Sequence, residues 1–125
     1  MKGFKYVCWD VDDANAQIYF KKSNEISILH YSELKKARGF YDDLDFPGIY
    51  FCRTQNDLLE WIKDCIEWED PFALDIYEIS PIGSVRKREY DNGRVAFVTE
   101  SCFVRELKDD EIHLELIKLL ESHYN

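Results

Sequence analysis

The chain has 125 residues, of which 46% are apolar, 15% aromatic and 33% charged, with a formal net charge of −9. Such a composition is too rich in rings and branched side chains for a disordered acidic tail, and the length suits one compact domain that needs no disulfide framework. All of the net charge lies between residues 40 and 80, where eleven Asp or Glu face only Arg53 and Lys63. A segment like this repels phosphate backbones and attracts cations, so a basic protein surface is the expected partner and direct contact with nucleic acid is not. Lys2 and Lys5 are followed by Asp10, Asp12 and Asp13 where a signal peptide needs an apolar run. No stretch of about 18 apolar residues follows, so a cytoplasmic protein without membrane contact is expected.

In chain order, residues 2–9 form a β-type run in which Tyr6, Val7, Cys8 and Trp9 are too continuously apolar for an exposed edge, which places it inside a sheet. Residues 10–15 turn the chain. Residues 17–20 and 26–30 flank Lys21-Lys22-Ser23-Asn24 and are expected as a hairpin or two short strands. Ser32 is placed to cap a short helix over 33–38, stopped by Gly39 in a left-handed conformation. An acidic, aromatic loop over 40–47 leads into a strand over 48–52. Thr54-x-x-Asp57 then opens a helix in the manner of a capping box. There Leu58, Trp61, Ile62, Cys65 and Ile66 recur at helical spacing, so one apolar stripe packs on the sheet with Trp61 and Ile62 in the core.

Pro71 ends that helix, and residues 72–79 alternate as a strand with both faces partly apolar. Residues 85–90 and 94–98 flank Asp91-Asn92-Gly93, whose Asn-Gly pair predicts a type I′ hairpin turn. Residues 101–107 continue as a strand. Asp109, Asp110 and Glu111 open a terminal helix with the stripe Ile112, Leu116, Leu119 and Leu120. The expected fold is a single α+β domain over residues 1–125: a mixed, mostly antiparallel sheet with two or three helices packed on it.

Chemistry-bearing residues are few. Cys8, Cys52, Cys65 and Cys102 each sit in an apolar stretch, with no Cys-x-x-Cys and no His at ligand spacing, so four reduced, buried thiols and no metal site are expected. The Asp10-x-Asp12-Asp13 run has Asn15 and Lys21 where a calcium loop needs Gly and Glu, which excludes an EF-hand. His30, His113 and His123 have no Ser or Cys at a suggestive offset, and no catalytic residue is assigned. Arg86-Lys87-Arg88 with Tyr90 and Arg94 makes a basic knot on the hairpin, read as a solvated edge that discourages strand addition.

The run Pro47-Gly48-Ile49-Tyr50-Phe51-Cys52-Arg53-Thr54, leading into an amphipathic helix, resembles the Gly-[Ile/Leu/Phe]-[Tyr/His]-Phe-x-[Ser/Thr] step of the ADP-ribosyltransferase-like superfamily. It is still more similar to a family of small phage and mobile-element domains with the same step, in which strands like 73–79 and 95–99 follow, the latter running into 103–107. The resemblance implies an ADP-ribosyltransferase-like fold. In active members it also implies NAD held by a first-strand His-Gly or Arg and a catalytic Glu late in the sheet. Here the first strand reads Phe4-Lys5-Tyr6-Val7-Cys8-Trp9 and has neither, while the late region offers Glu100, with Arg94 near the position of the enzymes' Glu.

The leading expectation is therefore a small acidic interaction or inhibitor protein without a cofactor, of phage anti-defence or toxin-immunity type. It would cover a basic, nucleic-acid-handling protein with Asp42, Asp43, Asp45, Glu67, Glu69 and Asp70, anchored by Tyr41, Phe46 and Trp68. The alternatives are an NAD-using, ADP-ribosyltransferase-like enzyme and a small-molecule or nucleotide-binding module.

Overall fold

A computed structural model describes residues 1–9, 14–37, 40, 43–68 and 73–124. The expected turn at Asp10 to Asp13, the stop at Gly39 and the break at Pro71 lie outside the described residues. In chain order the elements are β1 (Gly3–Trp9), α1 (Ala14–Ser23), β2 (Ile28–His30), α2 (Tyr31–Leu34), β3 (Ile49–Phe51), α3 (Gln55–Trp68), β4 (Ala73–Pro81), β5 (Val85–Glu89), β6 (Val95–Thr99), β7 (Ser101–Glu106), a 3-10 turn (Asp109–Glu111) and α4 (Leu114–Tyr124). The fold is α+β, and its strands pair antiparallel.

The strands make two sheets rather than one, ordered β1-β4-β7-β2 and β3-β6-β5. Besides residues 82–84, which carry the chain from β4 to β5, two joins bring them together among the described residues. Phe4 and Cys52 exchange both backbone hydrogen bonds at 2.7 Å, and only Glu100 separates β6 in one sheet from β7 in the other. At the first join β3 crosses so close to β1 that a Cβ on Gly3 would meet the Cys52 carbonyl and the Phe51 ring at 2.3 Å.

Each face of the four-stranded sheet has its own core. Val7, Tyr77, Ile79, Cys102 and Val104 pack with Ala16 and Phe20 of α1 and with Ile49 and Phe51 of β3. Ile76 of β4, alternating to the other side, packs with Leu58 and Ile62 of α3 and Leu116 of α4.

Several expectations are corrected. Residues 17–20 are helix: Ala16, Gln17 and Phe20 are buried together while Ile18 is exposed, a helical and not a strand pattern. Buried Gln17 is tolerated because its Nε2 donates to the Val7 carbonyl at 2.6 Å and its Oε1 accepts from the Tyr77 hydroxyl at 3.1 Å. Helix α2 starts after His30, not Ser32, because the Tyr31 N–H is bound to the Glu100 carbonyl at 2.8 Å. The β5–β6 loop has three residues. Tyr90 and Arg94 close it, Gly93 alone takes a positive φ (85°), and the Asn92 side chain accepts the Arg94 N–H at 3.0 Å, so a type I turn with a glycine bulge replaces type I′. Asp109, Asp110 and Glu111 form the 3-10 turn, and the terminal helix begins only at Leu114.

The capped turn before α3 is as expected: Thr54 Oγ1 accepts the Asp57 N–H at 3.1 Å, and Leu58, Ile62 and Cys65 are buried. Trp61 is only half-buried. It lies at the edge of the stripe with its ring edge-on to Tyr90 at 5.2 Å.

Candidate functional site: a cleft between the sheets

Where β1 and β3 diverge from their single bridge, the two sheets leave a cleft of about 440 Å³. Lys5 and Tyr6 of β1, Tyr50 of β3, Trp61 of α3, and Arg88 and Tyr90 of the β5 hairpin contribute to its walls, with Phe40 and Asp43 alongside. The volume falls within the range of roughly 300–1,000 Å³ usual for small-molecule sites.

The polar groups are fixed by one another. Lys5 Nζ donates to the Tyr50 carbonyl at 3.0 Å. The Tyr50 hydroxyl donates to the Phe46 carbonyl at 2.6 Å and accepts from Arg88 Nη1 at 2.5 Å. Arg88 is also paired with Asp43, whose side chain is only 15% exposed. Its guanidinium lies over three rings, those of Phe46 at 5.5 Å, Tyr50 at 5.7 Å and Tyr90 at 4.9 Å. The stack extends both ways: Arg86 lies over Phe46 at 4.7 Å, and Arg94 over Trp61 at 5.2 Å while pairing with Asp64. Lys5, Arg88 and Asp43 together leave one net positive charge in the cleft of a chain whose formal charge is −9.

Cys52 also lines the cleft. Burial pushes its thiol up to about 12, with Lys5 pulling the other way, so it is protonated at neutral pH and a poor nucleophile. Among the described residues no group of three or more His, Cys, Asp or Glu is arranged to hold a metal ion. Glu100, which the resemblance singles out, is exposed at the β6–β7 junction and is not among the residues lining the cleft. Beside it His30 Nδ1 lies 2.8 Å from Ser101 Oγ on the surface, a pairing that sequence offsets did not suggest.

The expected contact residues separate in the structure. Tyr41, Asp42, Glu69 and Asp70 lie outside the described residues. Asp43 belongs to the cleft, and Phe46 is half-buried under Arg86 and Arg88. Asp45 is exposed beside Leu44, itself 83% exposed, and Glu67 and Trp68 end α3 with the indole 80% exposed.

The acidity of residues 40–80 is partly compensated on folding. Cations from outside the segment reach Asp43 (Arg88), Asp64 (Arg94), Asp75 (Lys21) and Glu78 (Lys2 and Arg105). Four of its eleven carboxylates are thus paired with cations from elsewhere in the chain, of which Lys21 and Arg105 also pair with Glu106 and Glu111.

Among the described residues no helix is long and apolar enough to cross a membrane. No protein-family model, curated protein or solved structure matches the chain.

Proposed function

We propose that this protein is a binding module whose ligand is a small anion bearing a flat ring, of the nucleotide class, taken up in the cleft between the two sheets. The observation that carries this reading is the cleft's net positive charge against aromatic walls in an otherwise acidic chain. Lys5 and Arg88 offer donors to phosphate, and Tyr6, Tyr90 and Trp61 offer aromatic wall against which a ring can pack. The similarity of the Gly48-to-Thr54 step to ADP-ribosyltransferase-like proteins adds support for a nucleotide, since Tyr50 of that step lies on the cleft. Binding without turnover is the expected behaviour with NAD, because Glu100 stands off the cleft.

Calorimetric titration of the purified chain with ADP and with NAD tests this. Micromolar binding of either, weakened at least tenfold by Lys5→Met while the circular dichroism spectrum is unchanged, is the expected result. Equal affinity in wild type and variant, or no heat with either compound, rejects the reading.

A second reading rests on the exposed Trp68 beside Glu67 and the exposed Leu44 beside Asp45. In this reading an acidic surface with apolar anchors docks on a basic, nucleic-acid-handling protein, as an anti-defence or immunity protein would. It requires association with such a partner that slows as salt rises and that Trp68→Ala weakens.

A further inference from the structure

The four cysteines are all buried thiols, none of them in a disulfide, but their neighbours differ. Cys52 and Cys102 are desolvated thiols pushed up to about 12. Cys8 on β1 and Cys65 on α3 are just as buried, but they bring their Sγ atoms to 3.3 Å although 57 residues separate them in sequence. An S–S bond of about 2.05 Å would need the sulfurs to approach by only about 1.2 Å, within the reach of side-chain rotation and a small backbone shift. Cys8 is also among the residues lining the cleft, which makes the cleft the route by which a water-sized reagent would approach the pair.

We propose that Cys8 and Cys65 form a redox-modification site, in which an oxidant of the hydroperoxide class converts the two thiols into an intramolecular disulfide that staples α3 to β1. The Cys8 sulfur attacks one oxygen of the peroxide and the O–O bond breaks, giving Cys8 sulfenic acid and one water. The Cys65 sulfur then attacks the Cys8 sulfur, the S–O bond breaks, and a second water leaves with the Cys65 proton. Two thiols and one hydrogen peroxide thus become one disulfide and two waters. Because Lys5 and Tyr6 on β1 and Trp61 on α3 belong to the cleft walls, the staple fixes the spacing between those walls.

The test uses the whole reduced chain in native buffer with hydrogen peroxide, followed by thiol counting in denaturant and mass mapping of peptides. Free thiols are expected to fall from four to two, with one linked peptide pair containing Cys8 and Cys65, restored by dithiothreitol. In Cys65→Ser the intramolecular link is absent, and Cys8 is trapped by dimedone as the sulfenic acid. The proposal is overturned if Cys8 and Cys65 stay alkylatable in wild type while Cys52 or Cys102 is oxidised. It is overturned equally if the link forms only between chains, or only once denaturant has unfolded the protein.

Discussion

In the four-stranded sheet, Tyr77 and Ile79 pack in the cluster with α1 while Ile76 packs in the cluster with α3 and α4, so β4 meets apolar groups on both faces. In the three-stranded sheet, β5 leaves Arg86 and Lys87 exposed and is fastened by Arg88, through Asp43, the Tyr50 hydroxyl and three aromatic faces. The first arrangement gains its free energy from apolar area removed from water, which salt hardly alters. The second gains it from charge-assisted and cation–aromatic contacts of about 0.5–2 kcal/mol each, for which water, salt and a charged ligand can compete. The proposed ligand site lies at the second.

The sharpest way to break this contrast is a pair of truncations. Phe20, fully buried and 5.1 Å from the Tyr77 ring, should cost about 3–5 kcal/mol as Phe20→Ala in urea unfolding. Phe46→Ala, removing the half-buried ring under Arg86 and Arg88, should cost about 1 kcal/mol. Equal losses at the two positions would erase the distinction.

Next in size is the join between the sheets. Gly3→Ala places a methyl against the Cys52 carbonyl and should destabilise by about 1–3 kcal/mol, as overpacking does. Denaturant midpoints measure the effect, and a neutral result means that β3 can retreat from β1 without cost.

Arg88→Met should cost about 1–2 kcal/mol, because Asp43 then keeps its mostly buried carboxylate without its cation. The informative comparison is salt. Raising ionic strength should narrow the gap between wild type and variant, whereas a gap independent of salt assigns the loss to packing alone.

An effect of a different kind appears at alkaline pH, and it comes from the apolar region. Burial raises Cys52 and Cys102 from 9.0 to about 12 and Tyr77 from 10.0 to about 12. The unfolded chain therefore releases these protons first. The stability they contribute is whole below pH 9 and is lost as pH rises toward 12. Tyr77→Phe should flatten part of that decline above pH 10 in a series of unfolding curves.

Helix α3 was legible because Leu58, Ile62 and Cys65 recur on one face after a threonine cap, a local pattern. Helix α1 was not, because a glutamine occupies its buried face and its partners, Val7 and Tyr77, come from β1 and β4. The split into two sheets was hidden in an apolar run that changes sheets at Glu100 alone. The local compensation of charge was hidden for a similar reason: the cations on Asp43, Asp64, Asp75 and Glu78 are supplied by residues distant in sequence. The cleft did leave one trace. Arg86, Arg88 and Tyr90 alternate on β5 and beyond it, and period two places them on one side of the strand, toward Phe46 and Tyr50.

The pairing of β1 has a consequence for how the protein is made. Gly3 meets Ile79 and Trp9 meets Ala73, so the ribosome must add roughly seventy residues before the first strand finds its main partner. At about 5–20 residues per second that is a wait of roughly 4–14 s, during which an apolar strand has open edges. Lys2, just before it, and Lys5, within it, put positive charge on that open strand, and like charges disfavour its pairing with the same segment of another nascent chain.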